Sequence, residues 1–210
     1  MKKVKFIVFI CLFILLPLAY FNGFIRISDL TSEQESIAKK YGGVYVFDEK
    51  LEKEIDKREE ERDKYLDDFF KNNNRDFDLN DQTIMNEKLP RVLSNGKRYY
   101  SRKDNIKIDN YKILNNYEEK LKEFMGKDYD KYENYLSINL GYFYIDNDTI
   151  IPISIGVSTL YTEVTFGLYG DEASGIKFTK ESTQRLIGDN KFYLADNKFQ
   201  KSAIKTRTNK

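Results

Sequence analysis

The chain has 210 residues, with 35 Lys and Arg against 34 Asp and Glu, no histidine, no tryptophan and one cysteine. Without an imidazole there is no Ser-His-Asp or Cys-His nucleophile system, no His-ligated metal and no histidine pH switch. The length suits one medium-sized domain with accessories, and 40% hydrophobic with 15% aromatic residues is enough for a core.

Met1-Lys2-Lys3-Val4-Lys5 precedes an uncharged run from Phe6 to Ile25, about the length that crosses a hydrocarbon core as helix. The run reads as a signal peptide or a membrane anchor. Signal peptidase wants small residues at the last and third-last positions, but Ala19 is paired with Pro17 and Gly23 with Phe21. An uncleaved anchor is therefore favoured over a secreted, cleaved form. Cys11 follows bulky Phe9 and Ile10, so it reads as an apolar filler and not as a lipidation site. Three lysines and the amino terminus before the span, set against Arg26, Lys39 and Lys40 after it, predict a cytoplasmic N-terminus and a domain in the periplasm or outside the cell. That outer part contains no cysteine, so packing and not disulfides must hold it.

The expected organisation is a signal-anchor at 1–27, a helical region with a polar loop at 28–90, an α+β domain at 91–190 and a basic tail at 191–210. Ser32 with Glu35 predicts a capping box opening a short helix that Gly42-Gly43 ends, followed by a strand at Val44-Tyr45-Val46-Phe47. Asp48 then caps a helix over 49–71 with apolar positions Leu51, Ile55, Tyr65, Leu66 and Phe69. Its middle turns carry Arg58, Glu59 and Arg62, which predicts packing at both ends and solvation between; Glu49/Lys53, Glu54/Arg58 and Glu60/Lys64 are spaced to support it. Residues 72–82 read as a polar loop, and Ser94-Asn95-Gly96 as the turn of a hairpin.

Leu114, Tyr117, Leu121, Phe124 and Met125 predict an amphipathic helix over 111–125 with Gly126 as its C-cap. From 135 to 169 the period changes to two, which predicts a three-stranded antiparallel meander with a turn at Asp146-Asn147-Asp148 and helix 111–125 across its apolar face. Pro152 predicts either pairing from 153 onwards or a bulge there. A strand at 176–179 and a last helix at 180–187 follow. The fold class is α+β: a membrane-spanning or signal helix, then helices packed on an antiparallel β-meander. The tail from 191 carries six bases against Asp196 alone, while the body before it is acidic.

Asp76, Asp78, Asn80 and Glu87 stand where a calcium loop wants positions one, three, five and twelve, which makes calcium the one candidate cofactor. Asp81 in place of the turn glycine and Pro90 in place of a second helix count against it. Gly170-Asp171-Glu172-Ala173-Ser174-Gly175-Ile176-Lys177 has the outline of a phosphate loop, but its lysine is one residue late and two acids would repel phosphate. Ser and Lys recur three residues apart at 36/39, 94/97, 174/177 and 202/205, a frequency that chance explains in so lysine-rich a chain.

No residue set therefore predicts catalysis. The expected function is a membrane-anchored, extracytoplasmic, non-catalytic protein-binding domain, of which an immunity-type protein neutralising a basic toxin is the first reading. An accessory subunit of an envelope assembly is the second, and a carboxylate-dependent hydrolase the third. The expected partners are a protein and the membrane, through residues 6–25, and no nucleic acid. Loops 72–82, 146–148 and 170–175 are candidate contacts by position.

Overall fold

A computed structural model describes residues 2–23, 25–104, 106–107, 112–113, 116–170 and 175–202. The protein is α+β, with helices against two mixed sheets. The N-terminus is helical from α1 (Lys2–Ile10) through a π-type segment (Cys11–Leu15) to α2 (Leu16–Phe21). The wide turns end where Pro17 enters α2: proline lacks the amide hydrogen and crowds the carbonyl four residues back, and a looser turn relieves both. No helix among the described residues is long and apolar enough to cross a membrane. The single spanning helix expected over 6–25 is instead two short helices joined by that segment.

After β1 (Ile25–Ser28), α3 (Ser32–Tyr41) opens on a capping box, but its cap is Thr31 paired with Gln34, one residue before the expected Ser32. Thr31 Oγ1 accepts from the Gln34 amide at 3.2 Å and Gln34 Oε1 accepts from the Thr31 amide at 2.7 Å. Strand β2 (Gly43–Val46) leads into α4 (Glu49–Asn72), capped as expected by Asp48, whose Oδ1 accepts from the Leu51 amide at 2.9 Å. Then follow α5 (Leu79–Lys88), β3 (Tyr99–Ser101), β4 (Lys112–Ile113), α6 (Asn116–Met125) and α7 (Lys127–Tyr132). Helix α6 is shorter than the expected 111–125; Tyr111 and Leu114 lie outside the described residues, and Lys112–Ile113 is a strand.

The region 135–169 is not a three-stranded meander. It is one long bent hairpin: β5 (Leu136–Leu140) and β6 (Tyr142–Asp146) run out, β7 (Thr149–Pro152) and β8 (Ser154–Tyr169) run back. One register holds from Asp146↔Thr149 through Phe143↔Pro152 to Leu136↔Thr159, yet the inner half belongs to one sheet and the outer half to the other. The corner lies at Gly141, where a Cβ would come 3.0 Å from the Ser154 carbonyl oxygen. Pro152 is paired with Phe143 and neither delays the pairing nor makes a bulge: Ile153 donates to the Tyr142 carbonyl next to it, so 143–152 is a non-hydrogen-bonded pair and the missing donor costs no bond. The turn is where the sequence put it, with Asn147 and Asp148 at φ 46 and 59, a conformation Asn and Asp tolerate.

The second turn that a three-stranded meander needs after Val157 is absent: β8 continues for 16 residues and is the spine of the larger sheet. Strands β5 and β1 pair along one of its edges, β2 and β9 (Lys177–Ile187) along the other. The expected helix at 180–187 is thus the strand β9, because pairing with β8 from Ser158 to Tyr169 overrides a weak local preference. The start of the basic tail is also structured. Strand β10 (Asn190–Ala195) adds parallel to β2, and β11 (Lys198–Lys201) returns on it; Phe192 and Phe199 are buried. Residues 203–210 lie outside the described set. The smaller sheet has the order β3-β6-β7-β4.

The main core joins Ile37 and Tyr41 of α3, Leu121 and Met125 of α6, and Tyr129 and Tyr132 of α7 to Tyr45, Ile155, Val157, Phe192 and Phe199 of the large sheet. Tyr45 is fully buried, stacks on Phe192 at 4.5 Å and donates its hydroxyl to the Tyr41 carbonyl at 2.6 Å. Each such side chain contributes about 2 kcal/mol by burial. A second cluster, Leu51, Ile55, Leu93, Tyr99 and Ile153, docks the first half of α4.

Candidate functional site

Helix α4 is 24 residues long, but its buried residues Leu51, Glu52, Ile55 and Arg62 stop halfway. Its middle turns are not solvated as expected, because charges there find partners on other segments. Glu59 accepts from Arg91 Nε at 3.0 Å and from the Tyr99 hydroxyl at 2.6 Å, while Arg91 also donates to Asp104 at 3.0 Å. Arg62 is only 5% exposed and donates to the Leu89 carbonyl at 2.6 Å and to Asn86 Oδ1 at 2.8 Å. It thereby fills carbonyl and amide acceptors at the end of α5. Burial, with the Arg91 charge nearby, lowers the Arg62 pKa from its ordinary value.

Beyond Arg62 the second half of α4 is laced to α5 as a helical hairpin. The Lys88 ammonium lies 5.6 Å from the Tyr65 ring centre, and Phe77 meets Phe69 edge-on at 5.1 Å. Arg75 covers Phe69 at 4.9 Å and donates to both Asp81 oxygens, at 2.5 and 2.8 Å. That guanidinium holds the Asp81 carboxyl down at about 2. Asp78 caps α5, its Oδ1 accepting from the Asn80 and Asp81 amides at 2.8 and 3.0 Å.

The expected polar loop 72–82 is accordingly shorter, ending in this cap. Within it Asp78 is committed to the helix terminus, and Arg75 reaches its other oxygen at 3.5 Å. Glu87 sits near the far end of α5. Asp76, Asp78, Asn80 and Glu87 are not gathered together, and no group of three or more Asp, Glu, His or Cys able to hold a metal occurs among the described residues.

The end of the hairpin exposes large apolar side chains: Leu79 at 80%, Phe70 at 55% and Ile84 at 42%. Residues 63–88 around them carry seven acids and four bases. An apolar tip on a rigid, acidic arm can exclude water against a complementary surface and repel acidic ones. Sequence reasoning found the loop but missed α5. Its signal was present in Asp78 followed three residues later by Asp81, a capping pair; the calcium reading instead takes Asp78 as a ligand and Asp81 as a departure from the loop pattern.

Of the remaining candidates, Ser36 and Lys39 are both exposed on α3, and Lys97 is committed to Asp146 at 2.6 Å. Ser174, Lys205 and the acids Asp171 and Glu172 lie outside the described residues, so the phosphate-loop outline is described only at Gly170 and from Gly175 on, where it joins two strands. A basin of about 500 Å³ is lined by Glu35, Lys39, Asp189, Lys191 and Lys201 among others. A cleft of about 230 Å³ lies between Leu51, Tyr117, Tyr144 and Leu194. No protein family, curated protein or solved structure was found to match the chain.

Proposed function

We propose that this is a membrane-anchored, non-catalytic protein-binding domain of the cell envelope, acting as an immunity-type protein that captures a toxic effector. The observation that carries the reading is the stapled α4–α5 hairpin with Leu79, Phe70 and Ile84 exposed at its end. Such an arm is prepaid in conformational entropy, which favours binding by a preformed surface. Its excess of acids suits a basic partner.

The anchoring part of the reading rests on the first helical segment. Lys2 to Phe21 is helical without a gap; its uncharged part from Phe6 to Phe21 rises about 24 Å, and Lys5 in the first turns can reach the headgroups while its stem extends the apolar surface. Apolar side chains from Val4 to Leu18 are exposed around its whole circumference, Phe13 at 67%. A helix apolar on all sides needs an apolar surrounding, and most of this one receives none from the protein. The two short helices and the π-type segment would then act together as one anchor, kinked near Pro17. Lys2, Lys3 and Lys5 stand in its first turns beside the amino terminus, which supports an outer location for the domain.

The test is survival. Cells lacking the gene should be killed by kin that release or inject the effector encoded beside it, and the full chain should restore protection while Leu79→Lys does not. Indifference of the deletion strain to its kin sinks the immunity reading. Loss of a resident membrane complex in that strain would put the accessory-subunit reading in its place.

A further inference from the structure

We propose that the neighbouring ends of β8 and β9, at Leu168, Ile176 and Phe178, rest in the headgroup layer of the membrane beside the anchor, as a second, shallow point of attachment; this rests on the anchoring read from Lys2 to Phe21. Beyond Thr162 the spine β8 leaves the head of the molecule with only β9 and β1 beside it, a three-stranded stalk. The stalk comes to the anchor at its far end. The Tyr20 ring lies 5.8 Å from that of Phe166, and Gly23, at φ +71, lies so close to β8 that a Cβ would be 3.1 Å from the Tyr169 hydroxyl.

The chemistry of the stalk changes at that level. From Lys180 to Arg185 strand β9 is polar throughout, as Lys-Glu-Ser-Thr-Gln-Arg. Nearer the end stand Phe178, Leu168 and Ile176, exposed by 55, 55 and 68%, with no core beneath them. A bulge between Phe166 and Tyr169 twists the strands just there. Tyr20, Phe166 and Tyr169 therefore gather where the helix ends, the position at which aromatic rings settle between hydrocarbon and water, with Phe178 at the same level on the neighbouring strand. Exposed apolar residues clustered at the end of a ribbon whose β9 strand is polar from Lys180 to Arg185, and close to an apolar helix, fit a lipid surface, although Ile27 and Ile187 are exposed farther back. Two attachments side by side would hold the head's orientation more firmly than the helix alone.

The full chain, with Cys11→Ser as background, is reconstituted in phosphatidylcholine vesicles with an environment-sensitive fluorophore on Phe178→Cys, Ile176→Cys or Arg185→Cys in turn. A fourth sample carries the label on native Cys11. The expected result is a blue shift and quenching by lipids brominated near the headgroup for 176 and 178, water-like emission at 185, and quenching of Cys11 by lipids brominated deep in the chain. Water-like, unquenched emission at both 176 and 178 with Cys11 still quenched overturns the strand-end contact and leaves the anchor standing. An unquenched Cys11 overturns the anchor, and the strand-end proposal with it.

Discussion

Lys191 Nζ lies 2.5 Å from Glu52 Oε1 where β10 meets α4, while the other oxygen of the same carboxylate, Oε2, is buried with no hydrogen-bond partner among the described residues. The pair joins the C-terminal strands to the helix that carries the candidate site, and Asp56 adds a longer contact at 3.9 Å. Burial pushes the Glu52 carboxyl above its ordinary value despite the lysine, because one oxygen has lost water and gained nothing.

Breaking this pair on one side should be costly. Lys191→Met leaves a buried, uncompensated carboxylate and is expected to destabilise by about 3 kcal/mol, whereas Glu52→Leu combined with Lys191→Met recovers most of the loss. The elevated Glu52 means that the folded state binds its proton more tightly than the unfolded chain does. The stabilising contribution of that proton is complete below the ordinary 4.5 and is lost as pH rises through the elevated value. The Lys191→Met penalty should therefore shrink in acid. Urea titrations of the four-member cycle at acidic and neutral pH decide it, and equal penalties at both would refute the assignment.

Asp81 has the opposite sign. Arg75 depresses it to about 2 from the ordinary 3.8, so its contribution is present above 3.8 and is lost as pH falls between the two values. Amide protection in the first turn of α5 is expected to fall in that window. In Arg75→Gln the loss should begin at higher pH. Hydrogen exchange followed by NMR reads both, and an unchanged profile in the variant would show that Arg75 does not hold the cap.

Gly43 sits at φ +144 against β10, where a Cβ would be 2.7 Å from the Asn190 carbonyl carbon and 2.9 Å from its nitrogen. Neither backbone can yield, because β2 and β10 pair there. Gly43→Ala is expected to destabilise by more than about 2 kcal/mol, while Gly156→Ala, with nothing within 4 Å of the added atom, stays within about 1 kcal/mol. Thermal melts of the two variants make the comparison; equal midpoints would count against close packing at this crossing.

The arm and its tip should separate in their effects. Leu79→Lys touches no core and is expected to change stability by no more than about 0.5 kcal/mol while abolishing protection. Arg62→Ala removes a buried donor from Leu89 and Asn86 and should cost about 2 kcal/mol, loosening α5 from α4. Circular dichroism melts beside the survival assay report the two quantities. A Leu79→Lys protein that protects fully would move the binding surface elsewhere.

Local chemistry settled some of this molecule outright. Asp48 and the pairs Glu49/Lys53 and Glu54/Arg58, all formed, mark α4 because capping and i,i+4 contacts act within one helix. Asn147-Asp148 marks its turn for the same reason: the left-handed backbone is a property of those residues. A second such turn, Asp196-Asn197 at φ 49 and 65 between Leu194 and Phe199, is equally local, and it places a hairpin where the charge alone suggests only a tail. The candidate arm was half-visible, since the Asp78 cap belongs to the sequence while the clasp of Arg62 on Leu89 spans 27 positions.

What the sequence determined by itself is therefore the apolar N-terminal segment, the α+β class, the long capped helix and the lack of imidazole and thiol chemistry outside that segment. Tertiary structure alone decided that Lys180 to Ile187 is a strand, that Gly141 turns one hairpin across two sheets, and that Glu59 and Arg62 are held by partners on other segments. The division follows from range. Caps, ion pairs one turn apart and tight turns draw their energy from residues a few positions away, whereas strand pairing and the burial of a charge draw theirs from partners that only the folded chain brings near.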